Sequence, residues 1–211
     1  VNEGGLSALI ENVVHERRRT RVLESPLVAP RAGVMLHYDD SSRDEWALEW
    51  FSNPQCRNGY TWLVMDSGRV VELANPLKRT PHAGPCRTAN ANSAFYGIAA
   101  ATNGLVPATT AQVESIVRLV VLLARLHRWA EPMIVGHDAE AIWTPATTRA
   151  AGIADHRGQK LWGNGGRKVD PTGVRADGVP VVDVADVRKR VAAGLAAVTV
   201  SERGGAACAP R

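Results

Sequence analysis

Ala32-Gly33-Val34-Met35-Leu36-His37 is a continuous apolar run that ends on a histidine. It is short, and it follows a connector carrying Pro26 and Pro30, so it predicts a buried strand. Met133-Ile134-Val135-Gly136-His137 repeats the pattern after Pro132. In an open α/β sheet, sites gather beyond the carboxyl ends of the strands. The two runs can therefore bring His37 and His137 to one sheet edge. Further on, Gly165-Gly166-Arg167-Lys168-Val169-Asp170-Pro171-Thr172-Gly173 sets a lysine and a carboxylate two positions apart. In extended backbone Lys168 and Asp170 point to the same side. Two imidazoles and a carboxylate form a ligand set that catalytic zinc accepts, with its fourth position left to water. A lone histidine after a strand is more often structural, so spacing by itself leaves that reading open.

The rest of the chain supplies alternating elements. Leu6, Leu9, Ile10, Val13 and Val14 share a helical face, predicting an amphipathic helix over 6–19 with His15 solvated. Ser42-Arg43-Asp44-Glu45 has the spacing of a capping box and opens a short helix with Trp46, Trp50 and Phe51. The tryptophans at that spacing are expected in the core, with a glycan groove as the alternative. Tyr60–Met65 and Arg69–Leu73 read as a hairpin across Asp66-Ser67-Gly68. Residues 95–101 are another strand, and 111–130 the longest helix, capped by Thr109 or Thr110. His127 falls on that helix's apolar side as a packed histidine. Residues 138–167 lack a clear period, and loops of such length are uncommon. Asp183 caps a final helix with Val184, Val187, Val191, Leu195 and Val198 inward, and 201–211 reads as a frayed tail. The predicted class is α/β, with a central mixed β-sheet flanked by helices.

Composition narrows the partners. The 211 residues suit one sizeable core, and 45% hydrophobic with 22% charged residues is ordinary for a globular protein. No apolar run reaches the ~20 residues of a membrane span. The first residues lack the layout of a secretory signal, which leads to the expectation of a chain with no signal peptide; the absence of an initiator Met leaves open an excised module or a processed product. A net charge of +4 favours polyanionic partners, whether nucleic acid, anionic lipid or a teichoic-acid-rich cell wall. The basic run Arg17-Arg18-Arg19 reads as a solvated helix end. Three cysteines without CxxC spacing argue against a cysteine zinc site and leave one Cys56–Cys86 bridge open.

Across residues 30–175 the pieces occur in a recognisable order. They are the strand ending in His37, Gly59-Tyr60-Thr61-Trp62-Leu63-Val64 with the Asp66-Ser67-Gly68 turn, and His82-Ala83-Gly84. Tyr96-Gly97-Ile98, Val135-Gly136-His137 and Gly166-Arg167-Lys168-Val169-Asp170-Pro171 complete the set. In this the chain resembles the zinc-dependent N-acetylmuramoyl-L-alanine amidases of the type-2 class, shared by phage endolysins, wall-recycling amidases and peptidoglycan recognition proteins. The resemblance implies a single domain of that kind over residues 26–200, with 138–167 as a long inserted loop. Residues 1–25 then form an N-terminal helix and connector, and 201–211 a C-terminal tail. It further implies Zn2+ held by His37, His137 and Asp170, with Lys168 polarising the scissile carbonyl. Tyr60 would assist catalysis, and His82 would line the substrate groove. One branch of the family has a catalytic Glu where this chain has Ala99; Tyr60 matches the tyrosine that another branch uses instead.

Three departures stand out. Tyr38 occupies a place that is often histidine, as does Thr61, and the interval between His137 and Asp170 is unusually long. His156, inside that interval, is the rival second ligand; His137 is preferred because it follows an apolar strand. The implied reaction is hydrolysis of the amide between N-acetylmuramic acid and L-alanine in peptidoglycan, by a zinc-activated water. The expected setting is the catalytic module of a phage endolysin, held in the host cytoplasm and then acting on the wall. The expected partner is bacterial peptidoglycan, not nucleic acid or membrane, with a further wall-binding domain outside the chain left open. The competing readings are a non-catalytic peptidoglycan-recognition module and a zinc peptidase acting on the stem peptide.

Overall fold

The apolar run ahead of His37 forms the strand Gly33–Tyr38, all six of whose residues are buried. This computed structural model describes residues 13–140, apart from positions 19, 21, 42, 57, 85 and 104, together with residues 179–205. Six strands make one sheet: Val14–Arg17 (β1), Gly33–Tyr38 (β2), Trp62–Val64 (β3), Val70–Glu72 (β4), Phe95–Ala100 (β5) and Met133–Gly136 (β6). Their order across the sheet is β1-β4-β3-β5-β2-β6. β2 runs parallel to both β5 and β6, and β3 is parallel to β5. Among the described strands only the hairpin β3–β4 is antiparallel. The sheet is mixed, as the alternating elements predict.

Strand parity sorts side chains between two faces. Val34, Leu36, Tyr38, Tyr96 and Ile98 pack against Ile116, Leu119, Val120 and Leu123 of the helix Thr110–His127, and against Val187 and Val191 of the last helix. On the opposite face Leu63, Met65, Val71 and Ala99 meet Ala47, Leu48 and Phe51 of the helix Asp44–Ser52 (α1). Met35 lies on this second side with Ala83 and Phe95. His37, two residues beyond Met35, shares that face. The short helix Ala91–Ala94 (α2), missed in the sequence, leads directly into β5.

The helix Thr110–His127 (α3) begins with a full capping box, Thr109 Oγ1 accepting from Gln112 N at 3.1 Å and Gln112 Oε1 from Thr109 N at 2.8 Å. It ends three residues before the predicted stop, because Arg128 turns left-handed (φ 54°) and its N–H caps Ala124 and Arg125. His127 packs as expected, 2.9 Å from Tyr96 Oη and stacked on Trp129. Gly68 makes the β3–β4 turn at φ +82°, where a side chain would be strained and a Cβ would come within 2.8 Å of Ala111 O. A four-residue helix, His137–Glu140 (α4), follows β6. The last helix, Val184–Gly205 (α5), starts at Asp183, whose Oδ1 accepts from Ala185 N and Asp186 N.

Several expectations need correction. Residues 14–17 form a strand rather than the end of a helix; their burial alternates with period two, and β1 pairs with β4. The remainder of that predicted helix, residues 6–12, lies outside the described residues. His15 is exposed but accepts Val70 N at 3.1 Å through Nδ1. Arg17 ends the edge strand β1 and Arg18 follows it; they pair with Glu72 and Glu16, a charged edge that discourages further strand pairing. Trp46 and Trp50 are 52% and 47% exposed, because α1 turns Ala47, Leu48 and Phe51 inward instead. Cys56 and Cys86 are free thiols in separate clusters, bonded to Asn58 O and Ala83 O. The tail boundary at 200 falls within α5, which continues to Gly205.

Leu119 is fully buried between α3 and the sheet. Leu119→Ala is expected to lower unfolding stability by about 2–5 kcal/mol. Urea titration would show this as a lower midpoint at unchanged slope; an unaltered midpoint would contradict the packing of α3 on the sheet.

Candidate active site

The site grows out of strand register. Leu36 of β2 is aligned with Gly136, the last residue of β6, and the residue that follows each is a histidine. Neighbouring strands lie about 4.7–4.9 Å apart. The His37 and His137 rings accordingly stand with centroids 4.7 Å apart at 66°. On its other side His37 is aligned with Ala99 of β5, a small residue that leaves its ring room. His37 and His137 are both buried, at 1% and 8% exposure.

A third histidine closes the cluster from the loop after β4. His82 Nδ1 lies 3.1 Å from His37 Nε2, with the two rings edge to face at 90°. Its Nε2 lies 3.2 Å from the carbonyl oxygen of Phe95. The His82 backbone N–H and that of Ala83 both donate to Asn92 Oδ1, at 2.9 and 2.8 Å. The ring rests on β5 at Gly97, where a Cβ would come within 2.7 Å of His82 Cγ. Burial first, and then the adjacent His37 and His137, hold the His82 pKa well below the ordinary histidine range. His82 is 8% exposed, with both ring nitrogens engaged.

The same loop anchors the second histidine. His137 Nε2 lies 2.8 Å from Ala83 O and donates to it. Glu140, one turn on, accepts from Thr88 N at 3.1 Å and Thr88 Oγ1 at 2.9 Å, while its carbonyl accepts Arg87 N. Tyr60 leans over His37, centroids 4.8 Å apart, and its hydroxyl donates to Tyr38 O at 3.3 Å. Phe51 of α1 braces the tyrosine at 5.7 Å.

Four of the residues singled out in the sequence, His37, Tyr60, His82 and His137, are thus brought together. Lys168 and Asp170, the inserted loop beyond Glu140 and the rival ligand His156 lie outside the described residues. Among the described residues no three His, Cys, Asp or Glu side chains form a group that could hold a metal. The donor chemistry nevertheless fits zinc in part. His37 and His137 each have Nε2 fixed by a neighbour, His82 Nδ1 and Ala83 O respectively. Metal-ligating histidines are commonly held this way, through the other ring nitrogen. His82 has no ring nitrogen left for a metal. Asn92 and Glu140 were not visible in the sequence as site residues, since neither belongs to a periodic pattern or motif.

A family model described as N-acetylmuramoyl-L-alanine amidase matches residues 28–173. The fold is similar to that of a selenomethionine AmpD derivative, at 16% identity and a TM-score of 0.53, over 60% of this chain and 83% of that one. It is also similar to the catalytic domain of XlyA, at 14% identity and a TM-score of 0.50, over 67% of this chain and the whole of that one. An endolysin amidase, LysCS from Clostridium intestinale URNW, matches at 14% identity and a TM-score of 0.47, over 62% and 84% of the two chains. At such identities the likeness is one of fold. No curated protein matches the chain.

Glu140 is the latch between the loop at 83–88 and the start of α4. In Glu140→Ala, amide hydrogen exchange at Thr88 is expected to quicken while that of Ile98 in β5 stays as it was. Unchanged exchange at Thr88 would contradict the latch.

Proposed function

Because this chain belongs to the N-acetylmuramoyl-L-alanine amidase family, we propose that it hydrolyses the amide between N-acetylmuramic acid and L-alanine in bacterial peptidoglycan. The observation that carries this reading is the convergence of His37, His137 and Tyr60 at the carboxyl ends of β2 and β6 and beside β3. In the proposal His37, His137 and Asp170 hold Zn2+. Bound there, zinc would make water acidic enough to act as a nucleophile near neutral pH. The chain's own residues do the rest. Lys168 stabilises the negative charge that develops on the scissile carbonyl oxygen. Tyr60, held by Tyr38 O and braced by Phe51, orients a proton or hydrogen bond at the reacting centre. The buried, low-dielectric floor beneath His37 strengthens each of these interactions. We place the protein as the catalytic module of a phage endolysin that reaches the wall from the host cytoplasm, with any wall-binding domain outside these residues.

A family member that only binds peptidoglycan retains a groove without a working metal site. The presence of both strand-end histidines and Tyr60 favours the enzyme. Digestion of purified peptidoglycan with and without a chelator separates the two. The expected products are new L-alanine amino termini without new reducing ends, abolished by chelation and restored by zinc. Wall binding without any release would overturn the amidase in favour of recognition, and cleavage elsewhere in the stem peptide would make the protein a peptidase. Lys168→Ala is expected to reduce kcat by about 10²–10³-fold at unchanged zinc content. Asp170→Ala is expected to lose the zinc itself; full zinc content in that variant would remove Asp170 from the ligand set.

A further inference from the structure

We infer that the flank of α1 carrying Trp46 and Trp50 is a stacking platform for the glycan strand of the substrate, a chain of N-acetylated amino sugars. The inference rests on the peptidoglycan reading above and deepens it, by assigning the sugar side of the scissile amide to one rim of the site. Core packing does not account for the two side chains. They are 52% and 47% exposed, while Ala47, Leu48 and Phe51 of the same helix are buried. Residues four apart on a helix have Cβ atoms about 5–6 Å apart, so the two indoles form one surface. The Arg43 guanidinium lies 4.9 Å from the centroid of the Trp46 ring and holds it from one side.

Topology turns this flank toward the site. The chain passes from β2 through α1 to β3, and from β5 through α3 to β6, each time between parallel strands. The two crossovers run in opposite directions across the sheet and their helices lie on opposite faces, so they share one hand. That hand is right. Residues advance about 100° each around a helix. With Ala47, Leu48 and Phe51 against the sheet, Trp46 and Trp50 fall on one flank of α1 and Glu45 and Ser52 on the other. In a right-handed crossover the tryptophan flank is the one toward β2, the strand that carries His37. Beneath the helix Phe51 touches Tyr60, which leans on His37. The charge of α1 selects the ligand. The chain carries +4 overall, but Asp44 and the exposed Glu45 and Glu49 outnumber Arg43 here, so a polyanion is repelled. Indole faces are electron-rich and take the C–H face of a pyranose, while the carboxylates accept from its hydroxyl and amide groups. Two indoles bordered by charges are not the contiguous apolar patch of a membrane or protein interface.

The probe is N-acetylchitotetraose, an amino-sugar chain with no peptide and no scissile amide. It is titrated into nitrogen-15-labelled protein whose indole N–H signals are assigned with Trp46→Phe and Trp50→Phe. Saturable shifts of both signals are expected. By calorimetry, the double variant Trp46→Ala/Trp50→Ala is expected to bind the tetramer about 10-fold more weakly. On intact peptidoglycan its KM is expected to rise by about the same factor. Both positions are exposed, and an unchanged thermal midpoint checks that the variant is folded. Indole signals that stay in place at millimolar tetramer, or equal affinity in wild type and variant, overturn the platform. Unchanged tetramer binding with lost binding to phosphatidylglycerol vesicles, or with a lost dimer, gives the face to a membrane or a second copy and overturns it as well. The tetramer has no bond to cut, so these readouts are separate from catalysis. A wild-type protein that binds it through both tryptophans yet releases no L-alanine amino termini overturns the amidase reading and leaves the platform standing.

Discussion

The register of β2 between β5 and β6 is the constraint on which the site depends. β2 is buried on both faces and paired along its length, so it cannot slip without sending its apolar side chains to the wrong layer. A shift of one residue would turn His37 into the α3 layer, among Leu36, Ile98 and Leu119. In the observed register His37 falls on the side of α1 and the 82–88 loop. Alignment of Leu36 with Gly136 then brings His137 beside it at the spacing of adjacent strands. The apolar core and the two imidazoles are consequences of a single pairing.

Upon that frame the loop after β4 acts as a clamp. It reaches over β5, seats His82 on Gly97, offers Ala83 O to His137, and is tied to α4 through Glu140. None of these contacts buries much apolar surface, yet each satisfies a polar group that would otherwise be stranded in the interior. The clamp gives the buried histidines fixed partners. Burial and the neighbouring His37 and His137 lower the pKa of His82, whose two ring nitrogens lie against His37 Nε2 and Phe95 O.

Much of this was legible in the sequence, for identifiable reasons. The two apolar runs that end in histidine read as strands, and Thr109 or Thr110 as the cap of the longest helix. The meeting of His37 and His137 at one sheet edge followed from their places at strand ends, and the places of Tyr60 and His82 beside them from a resemblance of ordered motifs. What was not legible depended on partners distant in the chain. Val14–Arg17 alternates with period two, but the apolar stripe upstream masked it. The exposure of Trp46 and Trp50 was decided by which face of α1 met Leu63 and Ala99. The place of His82 depended on a glycine fifteen positions away in sequence and on a backbone carbonyl, neither of which leaves a local pattern.

The central claim is that the strand register delivers His37 and His137 as a pair of zinc ligands, completed by Asp170. X-ray absorption at the zinc edge, on the zinc-loaded protein and on its His137→Ala and His156→Ala variants, addresses that claim most directly. The account predicts two imidazole nitrogens and at least one oxygen in the wild-type shell, at about 2.0–2.2 Å. One imidazole is lost in His137→Ala and none in His156→Ala. A shell that keeps both imidazoles in His137→Ala but loses one in His156→Ala would contradict it.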